Sequence, residues 1–230
     1  MKLVAMIPAR MGSKRIPRKN VRILDGKPLI RHAIDIAVAS NEFDSVWVNS
    51  ESDLLGRIAV EAGALFHKRP DALASDTATN REFTAEFMQQ HDCDFVIMVN
   101  PTSPLLTIST LKNFCALVRE NRFDTILSTL AERAETFYKN TPLNFNTAEK
   151  INSQDLPPVE LVVWALTAWR KTIFLDNQNS GRCPVFAGNL GTFSIPKNEA
   201  CDLDTEEDWR VAEGLVAARK LNNKAQYYDI

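Results

Sequence analysis

Hydrophobic positions along the first part of the chain change repeatedly from short apolar runs to helical spacing. The short runs predict strands at 2–8, 45–49, 64–67, 94–99 and 125–130, and the runs at 2–8 and 94–99 are apolar enough for strands covered on both faces. Between them, apolar residues recur with helical spacing at 27–37, 54–62, 81–91 and 108–120. Alternating strands and helices predict a three-layer α/β fold with a mostly parallel sheet and right-handed crossovers.

The later part of the chain loses this regular alternation. Residues 131–158 are rich in Asn, Thr and Pro, and we expect an inserted arm at 131–165. Strands are predicted again at 161–168 and 192–195, followed by a final helix at 205–220. Thr205 and Asp208 have the spacing of a capping box, which marks where this helix begins. We therefore expect one domain over 1–230 that carries the arm as an insertion.

Three polar loops follow strands of the predicted sheet. They lie after Ile7, at 71–79 and after Val99. A mostly parallel sheet binds its ligands at the carboxyl ends of its strands, where such loops lie. The three loops are therefore expected to share one site.

Composition restricts the kind of ligand. The net charge of −2 and the pI near 6.0 argue against a broad basic surface for nucleic acid or an anionic membrane. The four cysteines show neither CxxC pairing nor a ladder of short spacings, which predicts reduced thiols in a cytoplasmic protein. No apolar run has the length of a membrane span or of a secretory signal core. Because the net charge is slightly negative, any positively charged site must be confined to a small part of the chain.

The densest positive charge lies in the loop after the first strand. No acidic residue interrupts its six basic residues before Asp25, and these are Arg10, Lys14, Arg15, Arg18, Lys19 and Arg22. Gly12 and Ser13 stand inside this basic loop, where backbone N–H groups can approach phosphate oxygens closely. The basic loop therefore predicts a triphosphate site, although a solvated basic turn has the same composition.

Two common phosphate-binding patterns are absent from the basic loop. The Walker pattern needs GxxxxGK[ST], and the dinucleotide fingerprint needs GxGxxG. Gly12 is the only glycine before Gly26, so neither pattern fits. The site is therefore predicted to be neither kinase-like nor NAD-binding.

A pair of carboxylates precedes the final helix. Asp202 and Asp204 are two residues apart, so in an extended segment both point the same way and can face one cation. Carboxylates, waters and phosphate oxygens are the ligands that Mg²⁺ prefers, which predicts a metal site. Acidic residues near the start of a helix can also act only by interacting favourably with the positive end of the helix dipole. This is our interpretation of Glu206, Glu207 and Asp208.

Two further polar segments are RPDALASDTA, which begins at Arg69, and PTSPL, which follows Asn100. Alone, Ser75, Asp76 and Thr77 are typical of a helix N-cap region, and Asn100–Pro101 is typical of a turn. Together with IPARMGSKRIPRKN, GKPLI and DLDTEEDW, in the same order over nearly the whole chain, they resemble the acylneuraminate cytidylyltransferase family. Members of that family make CMP-activated sialic acids and related nine-carbon or Kdo-type acids.

The resemblance implies a Rossmann-like nucleotidyltransferase fold with a CTP site. The implied phosphate contacts are Arg10, Gly12, Ser13, Lys14 and Lys19, and the implied neighbours of cytosine and ribose are Asn20, Arg69, Ala74, Ser75, Asp76 and Thr77. Mg²⁺, or Mn²⁺, would be held by Asp202 and Asp204, and the acceptor would lie near Asn100, Thr102, Ser103 and Lys139. Family members are usually dimers in which the arm of one subunit closes over the other's acceptor site, so a homodimer is expected.

The acceptor side departs from the family pattern. Members usually carry Gln at the position of Asn100, Arg at that of Leu106, and an arginine within 160–165, where this chain reads ELVVWA. An arginine there would pair bidentately with the carboxylate of a sugar acid, which leucine cannot do. The nucleotide half therefore matches the family better than the acceptor half.

The expected activity is transfer of CMP from CTP to the hydroxyl of an acidic sugar, sialic acid-like or another 2-keto sugar acid, with release of pyrophosphate. Arg10, Lys14, Lys19 and Asp202 are the expected catalytic residues. A metal-bound hydroxyl is the expected base, because His32, His67 and His91 are predicted to be structural. Two alternatives stay open: the same fold acting on a small acidic alcohol, a sugar phosphate or another nucleotide, and a non-catalytic nucleotide-binding protein.

Overall fold

A seven-stranded sheet with helices on both faces forms the body of the protein, which the computed structural model describes over residues 1–221. The strands are β1 (Leu3–Pro8), β2 (Ile23–Leu24), β3 (Lys27–Pro28), β4 (Ser45–Ser50), β5 (Leu65–Lys68), β6 (Phe95–Val99), β7 (Thr125–Glu132), β8 (Phe137–Tyr138), β9 (Thr141–Pro142), β10 (Val159–Arg170) and β11 (Leu190–Ser194). The helices are α1 (Leu29–Ser40), α2 (Asp53–Glu61), α3 (Asn80–Gln90), α4 (Ile108–Arg119), α5 (Lys171–Asn179) and α6 (Glu206–Lys220).

The sheet has the strand order β11-β7-β10-β6-β1-β4-β5. β1 pairs in parallel with β4 and β6, β4 with β5, and β7 with β11. β10 runs antiparallel between β6 and β7. The expected mostly parallel, three-layer α/β fold is therefore confirmed, with one antiparallel strand inside the sheet.

Strand β1 shows how the core divides between the two faces of the sheet. Leu3, Ala5 and Ile7 pack in one buried cluster with residues of α1, α2 and α4. Val4 and Met6 point to the other face and pack with residues of α3 and α5. Both faces of β1 are covered, which is why its sequence is an unbroken apolar run rather than an alternating one. This confirms the interpretation of the 2–8 run.

A third buried cluster joins the basic loop to the last helix. Ile16 and Leu24 pack with Leu203 and Trp209, and all four are almost fully buried. Helix α6 begins at the expected capping box, in which Thr205 and Asp208 bond each other's backbone N–H groups. The segment that carries Asp202 and Asp204 is thereby held beside the basic loop.

Several boundaries differ from the sequence-based expectation. Helix α5 was not expected, because of its residues only Phe174 is buried and no helical apolar stripe marks it. Residues 75–77, which alone are typical of a helix N-cap region, lie just before α3, and the capping box itself is formed by Thr79 with Glu82. The segment between β7 and β10 is 133–158, so the expected arm end at 165 lies inside β10. Within that segment, β8 and β9 form a short hairpin.

No helix among the described residues is both long enough and apolar enough to cross a membrane.

Candidate functional site

A cavity of about 530 Å³ opens where β1 and β6 end, beside the first turns of α3. The three polar loops that were expected to share one site all contribute to its walls. Its lining residues are Pro8, Ala9, Arg10, Ser13, Lys14, Arg15, Lys19, Asn20, Arg69, Asp76, Asn80, Phe83, Met98, Asn100, Pro101 and Thr102.

Cations of the basic loop line this cavity, and each of them is paired with a carboxylate. Asp76 accepts from Arg10 Nη1 at 2.9 Å through one oxygen and lies 2.5 Å from Lys14 Nζ through the other. Asp204 lies 2.9 Å from Arg15 Nη2 and 3.3 Å from Lys19 Nζ. The basic loop is thus held between two aspartates that come from distant parts of the sequence.

Hydrogen bonds also fix the backbone of the basic loop. The Met11 N–H donates to Glu51 Oε1 at 2.8 Å, and the Asn20 Nδ2 group donates to the Arg10 carbonyl at 2.9 Å. Asn20 is 6 % exposed, and its Oδ1 has no partner among the described residues. A buried acceptor of this kind costs stability unless a ligand or water donates to it. Gly12 is exposed, and no heavy atom would lie within 4 Å of a Cβ placed there.

Arg69 is buried in the cavity wall, although its side chain is cationic. Its Nε donates to Asn49 Oδ1 at 2.6 Å, and its Nη2 donates to the Asn49 carbonyl at 2.7 Å. The guanidinium carbon lies 4.1 Å from the centroid of the Phe83 ring. Desolvation lowers the pKa of Arg69 to about 10, so the side chain is still charged at neutral pH. Asn49 and Phe83, which sequence reasoning missed, therefore fix the guanidinium in place.

The two expected metal ligands lie beside the cavity and do not line it. The Leu203 N–H, between them in sequence, donates to the Thr102 carbonyl at 2.9 Å. Desolvation raises the pKa of the Asp202 carboxyl, and the negative charge of Asp204 raises it further, while a hydrogen bond from Thr102 acts in the opposite direction. Within residues 1–221, no cluster of three or more His, Cys, Asp or Glu side chains is arranged to hold a metal ion.

The structure does not bring every expected site residue to the cavity. Ser75 and Thr77 bond each other through their hydroxyls at 3.2 Å, and the Ala74 carbonyl accepts from Arg10 Nη1 at 3.3 Å. Ser103 is buried in the turn after β6, where its N–H donates to the Asn100 carbonyl. Lys139 lies in the exposed turn between β8 and β9, with its ammonium 5.3 Å from the centroid of Tyr138. None of these five lines the cavity, nor does Gly12.

Sequence reasoning did not select several residues that do line the cavity. Arg15 was counted only as part of the basic loop, and its contact with Asp204 was not foreseen. Asn80 and Phe83 are three residues apart near the start of α3, so they lie on one face of the helix. The sequence feature that could have identified Asn80 and Phe83 is their position just after the polar segment 69–78. Met98 gave no signal of its own, because every residue of β6 is apolar and buried.

A mostly parallel sheet with a cation-lined cavity at the carboxyl ends of its strands is the arrangement of α/β proteins that bind phosphorylated ligands. Comparison with known proteins narrows this class. The family model described as cytidylyltransferase matches residues 4–206. The chain therefore belongs to the cytidylyltransferase family.

Individual relatives agree with this assignment. An N-acylneuraminate cytidylyltransferase A of Danio rerio is 29% identical over 92% of this chain and 50% of its own length. A CMP-N,N'-diacetyllegionaminic acid synthase of Legionella pneumophila is 29% identical over 98% of this chain and 99% of its own length. The chain spans about half the length of the first of these, as it does for several other curated relatives.

A solved structure of CMP:2-keto-3-deoxy-manno-octonic acid synthetase, complexed with CTP, has the same fold. Its TM-score is 0.71, with 18% sequence identity over 95% of this chain and 100% of the other. At this identity the likeness concerns the fold alone, and it agrees with the Rossmann-like nucleotidyltransferase expectation.

Proposed function

We propose that this chain transfers CMP from CTP to the hydroxyl of an acidic sugar, with release of pyrophosphate. The observation that carries the proposal is the gathering of Arg10, Lys14, Arg15 and Lys19 at one cavity in a chain of the cytidylyltransferase family. These four cations share only two carboxylates, Asp76 and Asp204, so in a chain of net charge −2 the cavity has a local excess of positive charge that suits an anionic ligand. A nucleoside triphosphate is such a ligand.

The walls of the cavity support binding of a whole nucleotide. The basic loop would meet the triphosphate with its side chains and, near Gly12 and Ser13, with backbone N–H groups. The cavity is also lined by the Phe83 ring, by Arg69 with its fixed guanidinium, and by Asn20, whose Oδ1 has no partner within residues 1–221; these groups suit a base and a ribose with hydroxyl or amino donors.

The reaction would consist of one in-line displacement at the α-phosphorus. The acceptor hydroxyl oxygen forms a bond to the α-phosphorus, the bond from that phosphorus to the bridging oxygen of the β-phosphate breaks, and the hydroxyl proton passes to solvent water. Negative charge then develops on the leaving pyrophosphate, where Arg10, Lys14 and Lys19 would offset it. Catalysis would rest on positioning and electrostatics, with these residues and Asp202 in the catalytic roles.

The residues present fit a divalent cation beside the phosphates. Desolvation, and in addition the negative charge of Asp204, raises the pKa of Asp202, so a cation beside these carboxylates would favour the ionised form of Asp202. Two carboxylates completed by phosphate oxygens and waters are a typical donor set for Mg²⁺ or Mn²⁺. When bound, the ion would supply positive charge to the reacting phosphates. The chain's own part would be to hold both carboxylates beside Thr102 and Lys19.

The acceptor is proposed to be an acidic sugar of the 2-keto sugar acid class, with Asn100, Thr102, Ser103 and Lys139 on the acceptor side. The names of the relatives, which include sialic acid-like and legionaminic acid enzymes, support this class. Leu161, in the stretch where the family resemblance led us to expect an arginine, is 50% exposed on β10. The carboxylate of the acceptor would therefore need another cation, and Lys139 on a second subunit's arm is our candidate.

We propose that the protein is a cytoplasmic homodimer, because of its exposed apolar side chains and its free cysteines. Three large apolar side chains of the segment 133–158 are more than half exposed, and these are Phe137, Tyr138 and Leu143. Exposed apolar residues grouped on one segment are typical of an interface. The four cysteines are free in the structure, as expected for a reducing compartment.

Release of pyrophosphate, followed for each nucleoside triphosphate in turn with a panel of 2-keto sugar acids, tests the proposal. We expect release only with CTP, an acidic sugar and Mg²⁺ together. Release with a different triphosphate, or with a sugar phosphate or a small acidic alcohol as acceptor, would favour the same fold with another substrate. Binding of CTP without turnover of any acceptor would favour a non-catalytic nucleotide-binding protein.

A further inference from the structure

Asp76 pairs at the same time with two of the cations that we assign to phosphate binding, Arg10 and Lys14. Each of its carboxylate oxygens takes a different cation, Arg10 at 2.9 Å and Lys14 at 2.5 Å. Bonding to Lys14, then to Arg10, lowers the pKa of Asp76 below its usual range, so the group is ionised at neutral pH. The carboxylate therefore stands where an anionic ligand of these cations is expected.

A bound polyphosphate and this carboxylate oppose each other. Arg10 and Lys14 are the donors that we assign to phosphate oxygens, and a second anion on the same donors is repelled at short range. Phosphate oxygens carry more charge than one carboxylate, so a triphosphate can displace Asp76 from the pair. After the reaction, the free carboxylate lies next to the cations that still hold pyrophosphate.

Asp76 has no other evident structural role in the described fold. Its carboxylate is 47% exposed, and within residues 1–221 its side-chain bonds go only to Arg10 and Lys14. It does not cap α3, because that role belongs to Thr79. The position and charge of Asp76 therefore matter chiefly to the cations of the basic loop.

We propose that Asp76 is a positioning residue: it holds Arg10 and Lys14 while the cavity contains no nucleotide, gives them up to the incoming triphosphate, and takes them back as pyrophosphate leaves. The inference rests on the proposed function, because it assigns these cations to the phosphates of CTP. The family resemblance implied that Asp76 lies near the cytosine and ribose. In this proposal Asp76 instead competes with the phosphates of the nucleotide for Arg10 and Lys14. Its consequence is that Asp76 weakens polyphosphate binding and speeds product release.

The test is titration calorimetry of the wild-type chain and the Asp76→Asn variant with inorganic pyrophosphate, CTP and cytidine, each with Mg²⁺. We expect the dissociation constants of pyrophosphate and CTP to fall about threefold to tenfold in the variant, from the loss of two exposed competing ion pairs. Cytidine, which has no phosphate, should bind equally to both chains. The difference for pyrophosphate should shrink in high salt, because screening weakens exposed pairs.

Two further variants separate this role from a structural one. Asp76→Glu keeps the negative charge and should restore the wild-type pyrophosphate constant. Asp71→Asn removes an exposed carboxylate of the same loop that pairs with no cation of the basic loop in the described structure, and it should leave that constant unchanged. In turnover, pyrophosphate should inhibit Asp76→Asn at lower concentrations than it inhibits the wild type.

Unchanged or weaker pyrophosphate binding by Asp76→Asn would overturn the inference, as would an Asp76→Glu variant that behaves like Asp76→Asn or an Asp71→Asn variant that binds pyrophosphate more tightly. A wild-type chain that binds neither CTP nor pyrophosphate would instead contradict the proposed function. The two failures are therefore distinguishable in one set of titrations.

Discussion

The Arg69 guanidinium carbon lies 4.1 Å from the centroid of the Phe83 ring, inside the wall of the cavity. This contact joins the residue that follows β5 to the first turn of α3. Two further bonds to Asn49 hold the other side of the guanidinium. The position of a buried cation in the proposed base and ribose region thus depends on one aromatic ring as well as on Asn49.

Replacing Phe83 by leucine should therefore weaken nucleotide binding. Loss of the cation–π contact is expected to raise the dissociation constant of CTP about twofold to fivefold and to lower the free energy of unfolding by about 1 kcal/mol. Calorimetry with CTP and urea unfolding measure the two effects. Phe87→Leu is the matched control, because Phe87 is buried on the same helix but does not line the cavity. It should lose stability and keep CTP affinity; an equal loss of affinity would show that Phe83 acts only through packing.

Lys14 is expected to bind phosphate directly. Lys14→Ala should raise the dissociation constant of CTP about fivefold or more, since a charge-assisted bond to a phosphate is lost. Lys112→Ala, an exposed lysine on α4, is the control and should bind CTP like the wild type. Equilibrium titration at one fixed salt concentration checks this prediction. Equal CTP constants for the wild type and both variants would remove Lys14 from the site.

Two aspartates of one short segment should respond differently to asparagine substitution. Desolvation and the charge of Asp204 raise the pKa of Asp202, so its ionised form is unfavourable in the folded chain. Asp202→Asn should therefore keep or raise the melting temperature while Mg²⁺-dependent activity is lost. Asp208, whose pKa is lowered chiefly by its hydrogen bond from Thr205, closes the capping box of α6. Asp208→Asn should cost about 1 kcal/mol of stability.

Thermal melts and pyrophosphate release with varied Mg²⁺ separate these outcomes. The proposed metal site predicts that an Asp202→Asn, Asp204→Asn double variant has no Mg²⁺-dependent turnover even though it is folded. Full turnover in that variant would rule out both carboxylates as metal ligands. A destabilised Asp202→Asn variant would contradict the sign of its pKa shift.

The burial of His91 beside His67 predicts how stability depends on pH. His67 Nδ1 and His91 Nε2 are 3.0 Å apart, and the other nitrogen of His67 lies 2.8 Å from Glu86. Desolvation lowers the pKa of His91 to about 4, with further contributions from His67 and Lys171. The unfolded chain therefore binds more protons at this residue than the folded chain between pH 6.5 and 4.

The contribution of His91 to stability should thus be complete above pH 6.5 and should be lost progressively as the pH falls towards 4. Urea unfolding at a series of pH values, for the wild type and for His91→Gln, isolates this contribution from that of the carboxyl groups. The wild type should lose more stability than the variant over this interval. Parallel pH profiles of the two chains would mean that His91 titrates normally in the folded state.

Sequence reasoning identified the basic loop because charge density is a local property. The apolar run of β1 likewise predicted a strand covered on both faces. Sequence reasoning could not identify Asn49, a single polar residue at a strand end, because the role of Asn49 depends on Arg69, which is 20 residues away. The same holds for the bond between Arg10 and Asp76, which are separated by 66 residues. Helix α5 escaped notice because it buries only Phe174.

The hairpin of β8 and β9 carries the last prediction, which concerns assembly. Phe137 is 58% exposed and contacts Phe145 within the same segment, with ring centroids 5.1 Å apart. If this face covers a second copy, Phe137→Glu should dissociate the dimer, because an ionised carboxylate in an apolar interface is strongly unfavourable. Turnover of the acceptor should fall while CTP binding is retained, since the cavity that we assign to the nucleotide is lined by one chain.

Light scattering after size-exclusion chromatography measures the mass of the assembly. Val60→Glu, which changes a residue on α2 that is 65% exposed, is the control and should stay dimeric. A wild-type chain that is already monomeric, or a Phe137→Glu chain that remains dimeric with full activity, would exclude the hairpin as the interface.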